Sequence, residues 1–325
     1  MMQSDSRAKT TTTPTPPTGQ FRMTPQCPYA LAASARFLEG FGPATHPGER
    51  DGHLHLALVV DGSEQAVGVC IRAEDGIVIG DIYGDPASAV VEKQVARILS
   101  LDIDGTAFPE VGQRDPVIGE LQRRYPGLRP VCFFSPFEAA AWAIIGHRIR
   151  IMQAAGVKAR MAAELGAPVN IHGEVWHTFP GPTRLAELDA FPGLFGRKSE
   201  WLRELGVAAQ RGDLDADRLR ALTVNDALIS LKRLPGIGDF GAQLILPRGA
   251  GSPDTLPRAE PRLQKAVQLV YGLSSLPAPD EIEKLAEPWR PFRTWVSLLL
   301  RVALEEETGK IAGRRRVTPT RSAPK

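Results

Sequence analysis

The run Leu234-Pro235-Gly236-Ile237-Gly238-Asp239-Phe240-Gly241-Ala242, followed by Pro253-Asp254-Thr255-Leu256-Pro257-Arg258-Ala259-Glu260, decides how this chain is read. Two glycines bracket one apolar residue between helical runs, so the backbone can turn sharply and present bare N–H groups at the mouth of the next helix. That mouth carries partial positive charge and suits a phosphate oxygen. Such contacts position a nucleic acid without reading its sequence. Leu234, Gly236, Gly238 and Phe240 are therefore the expected phosphate-binding positions of this turn. Downstream, Glu260 stands directly before Pro261. Proline is favoured at the first position of a helix, which puts Glu260 at an N-cap with its carboxylate fixed in direction. The plainer reading of that carboxylate is a helix cap without chemistry.

Outward from this stretch, the sequence divides by periodicity. Residues 1–20 include a Thr/Pro tract that cannot bury enough apolar area to offset the entropy of ordering, and they read as a disordered tail. From Phe21 to Tyr83 short alternating runs at 53–60, 66–71 and 76–81, with Asp61-Gly62 as a turn, predict a small antiparallel sheet backed by a helix near Leu31. Beyond Pro86 the pattern becomes helical, over 89–101, 115–125, 137–165, 182–190, 197–211, 215–221, 224–232, 240–249, 261–271, 279–286 and 291–306. The expected class is α+β: an N-terminal α/β domain over 21–100, a mainly α-helical domain over 101–308, and a basic flexible tail over 309–325.

Composition sets limits. With 39 Lys and Arg against 37 Asp and Glu, the net charge is only +2, so a field attracting nucleic acid must come from clustered arginines such as Arg148 and Arg150 or Arg290, Arg293 and Arg301. Cys27, Cys70 and Cys132 are far apart and form no C-x-x-C pair, which argues against a disulfide framework and fits a reducing cytoplasm. No apolar run approaches the length of a membrane span. His46, His53, His55, His172 and His177 show no metal-ligand spacing, and no metal site is assigned.

The order and spacing of the hairpin and the downstream acid resemble the helix-hairpin-helix superfamily of DNA glycosylases, and within it the 3-methyladenine DNA glycosylase II branch. The likeness runs from about residue 100 to 304. It includes Pro136-Phe137-Glu138-Ala139-Ala140 at a helix start, Phe179-Pro180, the 193–205 region, Leu263-Gln264-Lys265-Ala266-Val267 and Trp289-Arg290-Pro291-Phe292-Arg293-Thr294-Trp295. The resemblance implies two helical subdomains with a base pocket in the cleft between them. It implies base excision repair of alkylated purines in double-stranded DNA by a monomeric enzyme.

Residue by residue, the resemblance makes Glu260 the catalytic acid, where the family normally has aspartate. It places Phe240 where bifunctional members carry a nucleophilic lysine, and so implies hydrolysis without strand cleavage. His147 and Arg148 fall at the wedge that fills the stack when a base is flipped. Phe240, Trp295 and Arg301 are expected in the base pocket. Members of the family often hold a monovalent cation on hairpin carbonyls. The iron–sulfur cluster of some relatives is not expected, since no cysteine follows Cys132. The rival reading is a DNA-binding protein on the same scaffold that is catalytically inactive or shifted in specificity.

Overall fold

The computed structural model describes residues 16–39, 49–50, 52–258, 260–308, 310–311 and 314–315. The expected tail over 309–325 and His46 lie largely or wholly outside these residues.

The N-terminal layer is an antiparallel sheet of β1 (Gly19–Met23), β2 (Glu49–Arg50), β3 (His53–Val59), β4 (Ala66–Glu74) and β5 (Ile77–Tyr83), in the order β1-β5-β4-β3-β2. Alternation decides its two faces. Leu54, Leu56, Leu58, Val67, Val69, Ile71, Val78 and Ile82 turn inward against α1 (Leu31–Glu39) and α2 (Ser88–Ile98). The opposite face carries His53, His55, Cys70, Asp81 and Tyr83, because His55 pairs with Cys70 and Cys70 with Asp81 across the ladder. Pairing extends into the segment that the sequence predicts as tail, whose first 15 residues lie outside the described ones. Thr18 donates its N–H to the Ile82 carbonyl and β1 pairs with β5 from Gly19 onward, which satisfies backbone groups that would otherwise leave an open edge.

The rest is helical apart from two hairpins, one of them the short antiparallel pairing of residues 310–311 with 314–315. In chain order come α3 (Phe108–Arg114), α4 (Pro116–Arg124), α5 (Pro136–Gly146), α6 (Ile151–Leu165), β6 (Pro168–Ile171), β7 (Glu174–His177), α7 (Pro182–Ala186), α8 (Lys198–Gln210) and α9 (Ala216–Ala221). They are followed by α10 (Val224–Lys232), α11 (Asp239–Arg248), α12 (Pro261–Val270), α13 (Pro279–Leu285), a 3-10 turn at Glu287–Trp289, and α14 (Arg293–Thr308). The predicted single run over 137–165 is in fact two helices. His147 leaves helical geometry at ψ 120° and Arg148 adopts φ +55°, so the chain kinks and both side chains are exposed. The β6–β7 hairpin and α3 have no counterpart in the sequence-based expectation.

The helices build two separate cores. One gathers α5 to α11 around Ile144, Ile145, Met161, Leu202, Leu205, Leu219 and Ile245. The other joins α3 and α4 to α12, α13 and α14 around Ile118, Leu263, Val267, Trp289, Val296 and Leu300. Asp115 fastens the second: it caps α4 through the N–H groups of Val117 and Ile118, and accepts from Tyr271 Oη at 2.5 Å and Trp289 Nε1 at 2.9 Å. Each buried large apolar side chain contributes about 1.5–3 kcal/mol. The sheet is joined to the helices by buried Arg97, which donates to Asp61 at 2.6 Å and to the carbonyls of Phe134 and Gly249. Among the described residues no helix is long and apolar enough to cross a membrane.

Candidate active site

Between the two helical cores lies a cleft of about 620 Å3 including its open mouth. Phe240, Gln243, Leu244, Pro247 and Arg248 of α11 form one wall. Thr294, Ser297, Leu298 and Arg301 of α14 form the other, with Pro130, Pro257 and Glu260 at the edge. A mostly apolar cleft with a few convergent charged groups is the usual form of a ligand site.

Glu260 is the N-cap residue of α12, yet its side chain makes no cap hydrogen bond. Its backbone carbonyl accepts from Leu263 and Gln264, so the helix start is built by main chain alone and the carboxylate is left to the cleft. The loop before it is pinned. Asp254 accepts from Arg293 Nε at 2.8 Å and Nη2 at 2.9 Å, and from Arg290 at 3.1 Å, while Thr255 N–H donates to Thr294 Oγ1 at 3.0 Å. These bonds lash residues 252–257 to the first turn of α14 and hold the entry to α12 in place. Asp254 is thus a fastener and not a second cleft acid.

Arg301 reaches Glu260 Oε1 at 3.5 Å and Glu305 Oε1 at 3.6 Å. Both are ion-pair distances without a tight hydrogen bond, and the Arg301 Nε has no hydrogen-bond partner despite its burial. The arginine is therefore held loosely between two carboxylates. Burial pushes the Glu305 carboxyl above its usual range, against the opposing pull of Arg301. Arg248, which sequence reasoning missed, donates to the Val131 carbonyl at 2.7 Å and lies 4.9 Å from the centre of the Phe37 ring. Burial, aided by neighbouring Arg301, lowers its guanidinium to about 10. The cleft thus holds Arg248 and Arg301 beside Glu260, with Glu305 paired to Arg301 behind it.

The hairpin lies at one end of this cleft. Gly236 has φ +76°, and a Cβ there would meet Trp201 Cε3 at 2.7 Å, so glycine is required twice over. Gly238 differs: its φ is −97°, it faces solvent, and a Cβ would find nothing within 4 Å. α11 starts at Asp239 without a side-chain cap, which leaves its first N–H groups directed outward. Phe240, 57% exposed, connects the hairpin to the cleft wall.

Leu234 corrects the expectation in one respect. Its side chain is buried in the first core and its N–H is taken by the Leu231 carbonyl, so it braces the turn from behind.

His147 and Arg148 stand beside the hairpin. Trp201 of α8 touches both features: its ring is 6.0 Å from that of His147, and its indole lies under Gly236. Buried Lys198 donates to the Ile145 carbonyl at 2.8 Å and so closes the C-terminus of α5 just before the kink. Burial lowers the Lys198 ammonium below its usual value. Neither Lys198 nor Trp201 carries a sequence signal beyond its place on the apolar face of a helix.

Trp295 is a correction. It is 3% exposed and packs on Phe108, Phe292 and buried Arg129, away from the cleft. On α14, Ser297, Leu298 and Arg301 face the cleft; Trp295 faces the second core.

No family model matches the chain. It is 25% identical over 214 residues to a DNA-3-methyladenine glycosylase of Bacillus subtilis, covering 65% of this chain and 71% of that one. It is 27% identical over 218 residues to DNA-3-methyladenine glycosylase 2 of Escherichia coli, covering 66% and 72%. A solved 3-methyladenine DNA glycosylase from Archaeoglobus fulgidus superposes with a TM-score of 0.71 at 21% identity, over 87% of this chain and 97% of that one.

The chain is similar to DNA-3-methyladenine glycosylases in sequence and shares the fold of the solved helix-hairpin-helix glycosylase. Within the helix-hairpin-helix superfamily its likeness is to the 3-methyladenine glycosylase II branch. The small antiparallel sheet followed by a two-core helical body is the α+β arrangement of this glycosylase fold.

Proposed function

We propose that this protein is a monofunctional DNA glycosylase of base excision repair that flips an alkylated purine out of duplex DNA and hydrolyses its N-glycosidic bond. The observation carrying this reading is the Glu260 carboxylate, which is not spent on capping α12 and instead lines the cleft with Phe240 and Arg301. Cleavage of a base–sugar bond builds positive charge on the sugar. A fixed carboxylate stabilises that charge or orients the attacking water. An alkylated purine is cationic while bonded to the sugar, takes the electron pair of the breaking bond and leaves as a neutral base, so it needs no protonation and one acid suffices.

DNA would be gripped through the N–H groups around Gly236, Gly238 and Phe240, with a monovalent cation on the hairpin carbonyls. Arg148, supported by His147, would fill the stack vacated by the base, because its left-handed backbone projects it from the kink beside the hairpin. Phe240 has no amine with which to form a Schiff base, so the product would be an intact abasic strand.

The test is incubation of the protein in excess with methylated duplex DNA. Released methylpurine, alkali-labile abasic sites and no borohydride-trapped protein–DNA adduct are expected. Strand cleavage without alkali would sink the monofunctional assignment, and absence of base release would sink the enzyme. A second reading is favoured by one observation. Arg301, 3.5 Å from Glu260, partly neutralises the carboxylate and is a poor neighbour for a cationic base. A protein shifted to neutral lesions, or binding DNA without catalysis, would show salt-dependent affinity with no methylpurine release.

A further inference from the structure

The outer face of the N-terminal sheet carries a second cluster of chemically competent side chains, remote in sequence from the cleft residues. We propose that His53, His55, Cys70 and His172 form a structural zinc site that clips this sheet to the β6–β7 hairpin of the helical body. Their four ligand atoms all lie within 4.8 Å of one another. His53 and His55 share a face of β3 by their two-residue spacing, and Cys70 is the direct cross-strand partner of His55. His53 Nδ1 is 3.2 Å from Cys70 Sγ, and the His55 and His172 ring centres are 5.2 Å apart.

The fourth ligand comes from elsewhere in the chain and is delivered by an unusual turn. His172 and Gly173 both have positive φ, at +52° and +84°. That is the pattern of a type I′ hairpin, where Asn-Gly is the favoured pair. Histidine takes the first position here, and its ring lies against Tyr83 Oη at 3.2 Å. The hairpin can approach because Gly68 has no side chain: a Cβ there would meet Ile171 Cγ1 at 2.6 Å. The apolar seam beneath is small, consisting of Cys70, Tyr83 and Ile171 with part of Trp176. A seam of that size gives little area to hold a hairpin in place, and a metal clip would supply the missing attachment.

The donor set selects the ion. Three imidazoles and a thiolate suit zinc in a closed tetrahedral site. The nearby carboxylate, Asp81, is committed to Arg72 at 2.5 Å and Gln20 at 2.7 Å, so no oxygen cage for calcium or magnesium exists. Zinc–ligand bonds of about 2.0–2.3 Å place ligand atoms roughly 3.3–3.8 Å apart, so the cluster must contract by about 1 Å. His172 is exposed at a turn and has the freedom to make that adjustment. Binding displaces the thiol proton of Cys70.

The experiment uses the tag-free full-length protein, stripped of metal and titrated with cobalt(II), then zinc. One equivalent of cobalt should give the visible bands of tetrahedral coordination and a near-ultraviolet thiolate-to-cobalt band, both removed by zinc. Zinc should also raise the melting temperature. Cys70→Ser should abolish the thiolate band. His172→Asn preserves the turn preference and should weaken binding by about tenfold or more while leaving the metal-free melting temperature unchanged. His147→Ala should change neither. If Cys70→Ser fails to fold, His172→Asn alone decides. Cobalt that remains octahedral, binding without the thiolate band, or undiminished affinity in His172→Asn would overturn the proposal.

Discussion

Replacing Glu260 by glutamine separates chemistry from architecture. The side chains are nearly isosteric, and the residue makes no side-chain cap bond that could be lost. Its ion pair with Arg301 is one-fifth exposed on each side and 3.5 Å long, worth no more than about 1 kcal/mol to stability. Arg301 keeps Glu305 at 3.6 Å as partner. Glu260→Gln should therefore fold with a melting temperature close to that of the parent. Catalysis should respond differently. A full charge on the sugar about 4 Å from a carboxylate interacts by roughly 4 kcal/mol at an effective dielectric constant near 20. Competition from Arg301 takes part of this. At about 1.4 kcal/mol per decade, the single-turnover rate of methylpurine release should fall by about 10²–10³. Duplex affinity, read by fluorescence anisotropy, should stay equal or rise, because a negative charge has left a DNA-facing cleft. Glu260→Asp restores the family's acid but withdraws the carboxylate by about 1.5 Å, and an intermediate rate is expected. A Glu260→Gln protein releasing base within about threefold of the parent would refute the reasoning. So would a rate loss matched by a proportionate loss of folded protein.

The two hairpin glycines should part company. Gly236→Ala must place a methyl against Trp201 at φ +76° and should cost about 1–2 kcal/mol for the backbone alone, seen in urea unfolding. Gly238→Ala has open space and should change stability by less than about 1 kcal/mol. It should still weaken DNA binding without altering the salt slope, since backbone amides release no counterions; unchanged affinity would exclude this turn as the phosphate site. Arg148→Gly relieves a left-handed residue and should hold or raise the melting temperature, while base release falls and the salt slope drops by about 0.9. Equal release rates for parent and Arg148→Gly would remove the wedge assignment. Glu305, whose folded carboxyl is raised by burial, favours the folded state most at pH below its unfolded value. That contribution is lost as pH rises through the raised folded value. Glu305→Gln should accordingly flatten this pH dependence and stabilise the protein at neutral relative to acid pH in thermal melts.

What could be read directly from the sequence was periodic or chemically unusual. The strands at 53–60 and 66–71 alternate so strictly that their inner face was determined, and the hairpin glycines announced themselves by spacing. The helical run over 224–232 was read from its periodicity, and the observed helix has those limits. Boundaries failed where propensity continued past a tertiary break. Nothing in Ala-Ile-Ile-Gly-His-Arg forbids helix strongly, and the kink at His147 is fixed by Lys198 capping Ile145 and by Trp201, both more than 50 residues away in sequence. Trp295 and Arg301 show the same limit at the level of a site. They lie on one helix six residues apart, and whether each faces cleft or core depends on a rotation that only packing against Phe108 and Arg129 settles.

The histidine cluster carries this argument furthest. Its members span 53 to 172, and no linear spacing rule groups them, because Cys70 is joined to His55 by cross-strand register and His172 by the handedness of a hairpin turn. The available signals were His-x-His on an alternating strand and His-Gly between two short β-prone runs. Each alone is commonplace. The group emerges only once the sheet's outer face is known to be covered, since on a bare sheet the same residues would be a solvated polar edge. Gly68, by letting Ile171 approach, is therefore as necessary to the cluster as any histidine in it. Filling that position with even a methyl group should lift the hairpin and draw His172 away from the other three ligands without touching one of them.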